Sequence, residues 1–276
     1  MMDKKIVLVT GASSGIGFET AKELIKHGHV VYGAARRIDK MQALVDTGGH
    51  SLKMDVSDHE SVVTGVQQII KEQGRIDVLW NNAGYAIYGS IEDVSIDEAR
   101  RQFEVNLFGL ADLTKQVIPI MREQESGLII NTSSIGGKIY SPLGSWYHAT
   151  KHALEGWSDC LRLEVKQFGI DVVILEPGAI ITEFYDVMLD PMIERSKNGP
   201  YQTMAEGMLK ANQDIHSKPD TSTSPAVIAK TVLKIVNARK PKTRYATGKF
   251  AKPMLFARKW LSDRMFDSIL ASMTKY

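Results

Sequence analysis

The 276-residue chain carries 34 Lys and Arg against 32 Asp and Glu, a formal net charge of +2, with 43% hydrophobic and 24% charged residues. That mixture belongs to an ordinary folded globular protein and excludes a disordered chain, a collagen-like repeat and a disulfide scaffold. Near-neutrality speaks against a polyanion-binding protein, although a total conceals how charge is distributed.

Short β-branched runs alternate with longer stretches of helical periodicity, the pattern of a parallel sheet wrapped by helices. Strands are predicted over 6–10, 30–34, 51–54, 76–80, 128–132 and 171–175, and helices over 15–27, 59–72, 96–122 (in one or two pieces) and 146–168. The strands read as continuous apolar runs, as strands covered on both faces should. Right-handed crossovers then make the sheet doubly wound. After Pro177-Gly178 the rhythm changes. Residues 183–223, rich in Met, Asp, Lys and Ser, predict a helical insertion placed to cover a site at the strand ends. A helix over 225–238, a strand over 243–246 and a helical stretch over 253–273 complete the chain.

No apolar run approaches the ~18–20 residues of a membrane-spanning helix. The apolar stretch after Lys5 is too short for a signal peptide. Cys160 is the single cysteine, so no internal disulfide can form, and a cytoplasmic location is expected. No His/Cys or paired-carboxylate cluster calls for a metal.

The first strand runs into Thr10-Gly11-Ala12-Ser13-Ser14-Gly15-Ile16-Gly17 and then a helix. Glycines permit the tight turn and let the backbone approach a pyrophosphate at the positive helix N-terminus. The spacing is G-x-x-x-G-x-G rather than G-x-G-x-x-G. At the end of the second strand an acidic residue would bind the adenosine ribose and favour NAD(H). Here Arg36 and Arg37 follow, with no carboxylate before Asp39. Two guanidiniums can grip a 2′-phosphate, and one can stack on adenine, so NADP(H) is expected over NAD(H).

Tyr147 and Lys151 stand at i and i+4, on one helix face. A nearby ammonium favours the phenolate and is expected to lower the phenol pKa from about 10. A phenol so tuned can give a proton to a carbonyl oxygen or take one from an alcohol. Ser134, thirteen residues earlier, can hydrogen-bond the same oxygen, with Ser133 as the alternative serine. Any helix can carry a Y-x-x-x-K pair on its surface; the weight lies in the ordered combination.

Over about residues 5–185 the chain resembles the short-chain dehydrogenase/reductase family, in its shorter, non-extended branch. The resemblance rests on the Gly11–Gly15–Gly17 loop, Asp55, Asn81-Asn82-Ala83-Gly84, Asn106, Ser134, Tyr147-x-x-x-Lys151 and Pro177-Gly178. Residues 31–37 and 153–156 look like the 17β-hydroxysteroid dehydrogenase-like and retinol dehydrogenase-like group, which implies a hydrophobic alcohol or ketone. The family implies a Rossmann-type doubly wound α/β sheet of about seven strands; with the helical substrate lid (183–223) and C-terminal helical extension (249–276) read from composition and spacing, one domain over 1–276 is expected. It implies Tyr147 as general acid/base, Ser134 orienting the substrate, Lys151 on the nicotinamide ribose, and Asn106 holding a water in a proton relay. The implied cofactor contacts are Gly11, Ser13, Ser14, Gly15, Ile16, Gly17, Arg36, Arg37, Asp55, Val56, Asn82, Ala83, Gly84, Pro177, Gly178, Ile180 and Thr182. A homodimer or homotetramer is expected. The rival readings are an NADP(H)-binding regulatory module without turnover, in which a tuned phenol has no use, and a nucleotide-sugar epimerase or dehydratase, whose loop would read G-x-x-G-x-x-G.

Three features admit two accounts. His148 should lie about 100° from the Tyr147–Lys151 face and is expected to be a spectator, and Cys160 a small core or interface residue. Met188, Met192, Met204 and Met208 form stripes after Phe184 and Tyr185, either a buried helix face or a mobile lining for a bulky apolar substrate. Residues 225–276 hold twelve Lys and Arg and two acids, a charge of +10, leaving −8 on the rest. With Trp260, Leu261, Met265, Phe266, Ile269, Leu270 and Met273 at helical spacing, this tail either packs on the body or an oligomer interface, or lies on an anionic membrane. Nucleic acid lacks a recognised motif and is not an expected partner.

Overall fold

Strand β1, Ile6–Thr10, is buried at every residue. Val7 and Val9 enter one hydrophobic layer and Leu8 the other, which is why the run is apolar throughout. Around it lie β2 (Val30–Ala35), β3 (His50–Lys53), β4 (Val78–Asn81), β5 (Gly127–Thr132), β6 (Ile170–Pro177) and β7 (Arg244–Thr247). They form one sheet in the order β3-β2-β1-β4-β5-β6-β7, every pair parallel. The order reverses between β1 and β4, so the crevice that binds ligands in doubly wound sheets opens there. The computed structural model describes residues 3–217 and 223–274. Residues 218–222 of the insertion and Lys275 and the Met273 side chain of the tail lie outside the described residues.

The helices are α1 (Gly15–Lys26), α2 (Gln42–Val45), α3 (His59–Gln73), α4 (Ile96–Phe103), α5 (Leu110–Glu123), α6 (Ser145–Val165), α7 (Phe184–Ser196), α8 (Gln202–Ser217), α9 (Pro225–Val236), α10 (Ala251–Trp260) and α11 (Asp263–Thr274). Leu24 of α1 and Val232 and Ile235 of α9 pack on the Val7 face. Val62 and Ile69 of α3, Leu113 and Val117 of α5 and Leu161 of α6 pack on the Leu8 face. Local chemistry sets the ends: Asp58 accepts from the Glu60 and Ser61 amides at the start of α3, and Gly74, at φ +73°, ends it. Ser95 and Glu98 form a reciprocal capping box on α4.

The predicted helix over 96–122 is α4 and α5 joined by a π-helical turn, Glu104–Gly109, which carries Asn106. Such single wide turns often mark functional sites. Helix α2 has no counterpart in the apolar periodicity. The stretch over 253–273 is two helices, because Leu261 adopts an extended conformation (φ −92°, ψ 147°) between α10 and α11. Cys160 is exposed on α6, which excludes the core account and leaves the interface one. Among the described residues no helix is long and apolar enough to cross a membrane.

Candidate active site

The C-terminal ends of β1, β4, β5 and β6 and the lid helix α7 enclose a cleft of about 330 Å³. Its floor begins at Gly11, whose φ of +68° and closeness to Ala83 (a Cβ would lie 2.9 Å from its Cα) leave no room for a side chain. A Cβ on Gly17 would sit 2.2 Å from the Gly11 carbonyl oxygen. The hydroxyl of Thr10 accepts from the Asn82 and Ala83 amides, each at 3.0 Å, and locks the loop after β4 to the loop after β1. Ser14 begins α1 without capping it through its side chain, and no acidic residue lies in the first turn. The first amides of α1 thus face the cleft with their donor capacity uncommitted to side chains, and the glycine cradle gives an anionic dinucleotide backbone-close access. A dinucleotide fits these residues.

Sixteen of the expected site residues line the cleft: Gly11, Ser14, Gly15, Ile16, Gly17, Arg37, Asn82, Ala83, Gly84, Ser134, Tyr147, Lys151, Pro177, Gly178, Ile180 and Thr182. Five do not. Ser13 is half-buried in the turn, and Arg36 is exposed beside Arg37 at the end of β2. The Asp55 carboxylate is engaged by the Ser57 amide and hydroxyl at 3.0 and 2.7 Å. Val56 puts its carbonyl against Gly109. Asn106 sits behind the lining: its Oδ1 accepts from the Tyr85 amide at 3.0 Å, and its Nδ2 donates to the Tyr85 carbonyl and the Thr150 hydroxyl. Asn81, the other asparagine of its motif, is a buried brace that donates to Thr114 and Asn131.

At the inner end, the Ser134 hydroxyl neighbours the Tyr147 phenol closely enough to act on its proton, and it accepts from the Gly136 amide at 3.0 Å. The alternative, Ser133, is buried with its hydroxyl unpartnered and wedged against Gly137. Lys151 is 6% exposed. Its Nζ donates to the Thr132 carbonyl at 2.8 Å and lies 6.0 Å from the Tyr147 ring centre. A Cβ on Gly84 would come within 3.1 Å of Asn106 Oδ1 and 3.7 Å of Lys151 Nζ, so this glycine gives both groups access to one point.

The electrostatics differ from the expectation that Lys151 acidifies the phenol. Burial pushes Tyr147 above its ordinary value of 10, and the neighbouring Ser134 hydroxyl only partly opposes this. Burial also pulls Lys151 down to about 8, against the attraction of Glu155 one turn on. Desolvation penalises both charges here, and the ammonium bonds to a carbonyl rather than to the phenol.

His148 stays out of the cleft lining, but it is more than a spectator. Its Nδ1 lies 2.9 Å from the Gly136 carbonyl oxygen and its Nε2 3.0 Å from the Ser141 hydroxyl. Burial lowers its pKa, which keeps it neutral. The lid contributes Phe184, Tyr185 and Val187 to the cleft, with the Phe184 ring 5.9 Å from that of Tyr147. None of the four striped methionines lines it. Met188 and Met192 are buried with Ala86, Tyr88 and Leu143 in the cluster that backs the cleft wall, the plain buried-face account. Arg195 pins the lid by bonding to Glu98 and to the Tyr88 carbonyl.

Sequence reasoning missed Tyr85, Ala86, Thr132, Glu183 and Val187 in the lining. It also missed a buried charge cluster behind Lys151. Glu155 pairs with Lys138 at 3.0 Å and with Arg244 at 3.2 Å, and Arg244 also reaches Asp159 and Glu176. The available signal was the extension of Y-x-x-x-K to Y-x-x-x-K-x-x-x-E on one helix face.

A phosphate cradle at the switch point, with Ser134, Tyr147 and Lys151 at its inner end, defines an oxidoreductase that works with a nicotinamide dinucleotide. The chain belongs to the short chain dehydrogenase family, whose model matches residues 5–190. A 3-ketodihydrosphingosine reductase of Bacteroides thetaiotaomicron is 38% identical over 275 residues, 98% of this chain and 97% of that protein. A short-chain dehydrogenase from Streptomyces avermitilis, a solved structure, matches with a TM-score of 0.79 at 33% identity, covering 100% of this chain and 96% of its own. The closed form of a serine dehydrogenase complexed with NADP+ matches with a TM-score of 0.74 at 25% identity, over 88% of this chain and 94% of its own.

Proposed function

We propose that the protein is an NADP(H)-dependent carbonyl reductase, reversible in principle, acting on an apolar ketone, with Tyr147 as general acid/base. The observation that carries this reading is the meeting of Ser134, Tyr147 and Lys151 at the inner end of one cleft, beside the lid's aromatic wall. When bound, the nicotinamide supplies hydride to the carbonyl carbon or removes it from the alcohol.

The chain's own residues handle the oxygen and the proton. Because burial holds the Tyr147 phenol protonated at neutral pH, it is loaded as an acid for reduction and gives its Oη proton to the carbonyl oxygen. Ser134 donates to the same oxygen and fixes its place as charge develops. Lys151, with Asn82-Ala83-Gly84, Pro177, Gly178, Ile180 and Thr182, would hold the nicotinamide half. Asn106, hydrogen-bonded to both Tyr85 and Thr150, braces Gly84 and α6 around the route by which the phenol regains a proton. The glycine loop, Ser14 and Ile16 would hold the pyrophosphate. NADP(H) over NAD(H) is supported by Arg37 on the cleft wall and by the lack of a carboxylate directly after β2.

The apolar, long-chain character of the substrate is supported by Phe184, Tyr185 and Val187 and by the keto-lipid substrate in the name of the Bacteroides relative. NADPH consumption over ketones of increasing chain length, with NADH in parallel, tests the reading. Turnover should rise with chain length and favour NADPH; a preference for short polar ketones or for NADH overturns it.

A further inference from the structure

The tail presents a packed face and an exposed one. Inward, Phe266 is fully buried and Leu270 nearly so, against Ile139 and Tyr140. Arg258 stacks over Tyr140 and Phe266 and pairs with Asp263 at 2.9 Å, and the Tyr140 hydroxyl donates to Asp267 at 2.8 Å. Both acids of the tail are thereby engaged. Outward, α10 leaves Phe256 68% and Trp260 67% exposed, their rings 6.3 Å apart, with Met265 56% exposed on the next helix. Lys259 lies 5.4 Å from the Trp260 ring, and Lys252, one turn before Phe256, is exposed with it.

We infer that this face of α10, with the start of α11, docks the enzyme on an anionic lipid surface. Aromatic side chains flanked by lysines on a rigid helix suit the boundary between headgroups and acyl chains. The charge distribution favours lipid over a second copy of the chain. Lys252, Lys259 and Arg264 are exposed around these aromatics, in a tail that carries +10 against −8 on the rest of the chain, so an anionic bilayer is drawn to this face. A two-fold dimer through the same face would instead set like-charged patches against each other. The placement also serves the cleft: α10 packs on the turn that follows Ser134, and α11 packs on α8 of the lid. A lipid-borne substrate would therefore meet the lid from the docked side. The inference extends the apolar-substrate reading, but vesicle binding is measured without substrate, so either can fail alone.

The test is co-sedimentation of the full chain with phosphatidylcholine vesicles and with 7:3 phosphatidylcholine/phosphatidylserine vesicles, at low and high salt. Binding to the anionic vesicles is expected, weakened tenfold or more by high salt, by omission of phosphatidylserine, and by either Phe256→Ser/Trp260→Ser or Lys252→Glu/Lys259→Glu. Both double variants should keep the parent's melting temperature and NADPH affinity, since the changed residues touch neither core nor cleft. Equal binding of parent and variants overturns the proposal. So does failure of the parent to bind, or a concentration-dependent dimer in gel filtration that the Phe256→Ser/Trp260→Ser change abolishes.

Discussion

The His148 ring, through Nδ1, is held 2.9 Å from the carbonyl oxygen of Gly136, which ties the helix bearing Tyr147 to the turn after Ser134. Two of the groups proposed to share the substrate oxygen are thus kept in register by a residue that touches neither substrate nor cofactor. His148→Ala leaves the Gly136 carbonyl and Ser141 hydroxyl without this partner, at about 1–3 kcal/mol. We expect a lower melting temperature and a kcat loss larger than any change in NADPH affinity, with His148→Gln recovering part of both. Burial depresses the pKa of His148, so below about pH 6.5 the unfolded chain takes up a proton that the folded one resists. Its share of stability is present above the unfolded pKa and falls as the pH drops below it; an unchanged acid limb in His148→Gln would refute this assignment.

Tyr147→Phe removes the proton donor and little else, because the polar group bearing on the phenol is the neighbouring Ser134 hydroxyl. We expect kcat/KM for the ketone to fall about 10²–10⁴-fold, with NADPH binding and melting temperature close to the parent's. A variant still turning over at the parent rate would exclude Tyr147 as the acid.

Lys151 presents the opposite balance. Its pKa of about 8 lies below the unfolded value of 10.5, so the unfolded chain holds that proton more tightly; folding is penalised in full below about pH 8, and the penalty fades only as the pH rises from 8 to 10.5. Lys151→Met should therefore gain roughly 1–2 kcal/mol at pH 7, after allowing for the lost Thr132 hydrogen bond, while abolishing activity. Thermal denaturation at pH 7 and pH 10 checks the sign, because the gain should shrink at the higher pH.

What could be seen in the chain and what could not divide along a physical line. The glycine spacing and the Tyr147–Lys151 pair are local, set by one turn and by one helix repeat, so they can be read directly. The face occupied by His148 follows from 100° per residue, but what packs behind that face depends on where Gly136 and Ser141 are brought by tertiary structure. Arg244 meets Glu155 and Glu176 only because β7 pairs with β6, Ile174 opposite Arg244. Nothing in the spacing of residues 155, 176 and 244 announces that. Asn106 was marked by resemblance, yet its π-helical setting leaves no trace in hydrophobic periodicity.

That Arg244 cluster makes a pH prediction of its own. Burial and the nearby Glu155 carboxylate raise Glu176 to about 7, with Arg244 opposing. Between the unfolded carboxyl value of 4.5 and 7 the folded state holds more protons, so this group's contribution to stability declines as pH rises. Arg244→Leu strips the cation from buried carboxylates and should cost about 3 kcal/mol at pH 8, but distinctly less at pH 5, where Glu176 is protonated. Melting curves showing the same deficit at both pH values would rule the mechanism out.

Arg36 and Arg37 were expected to act together on a 2′-phosphate, but only Arg37 lines the cleft. Arg37→Ala should lower kcat/KM for NADPH about tenfold or more with NADH unaffected, as loss of a charge-assisted phosphate contact implies. Arg36→Ala should have a smaller effect. Steady-state kinetics with both cofactors decides, and equal losses would restore the paired grip.

The lid separates binding from packing. Met188 is buried among Tyr88, Leu143 and Met192, so Met188→Ala opens a cavity and should cost about 2–5 kcal/mol without raising KM for an apolar ketone. Phe184 faces the cleft beside Tyr147 and is half-buried. Phe184→Ala should therefore cost little stability and raise KM for long-chain ketones several-fold, leaving short ketones nearly unchanged. If Met188→Ala raised KM while Phe184→Ala did not, the substrate wall would have to be redrawn around the methionine stripe.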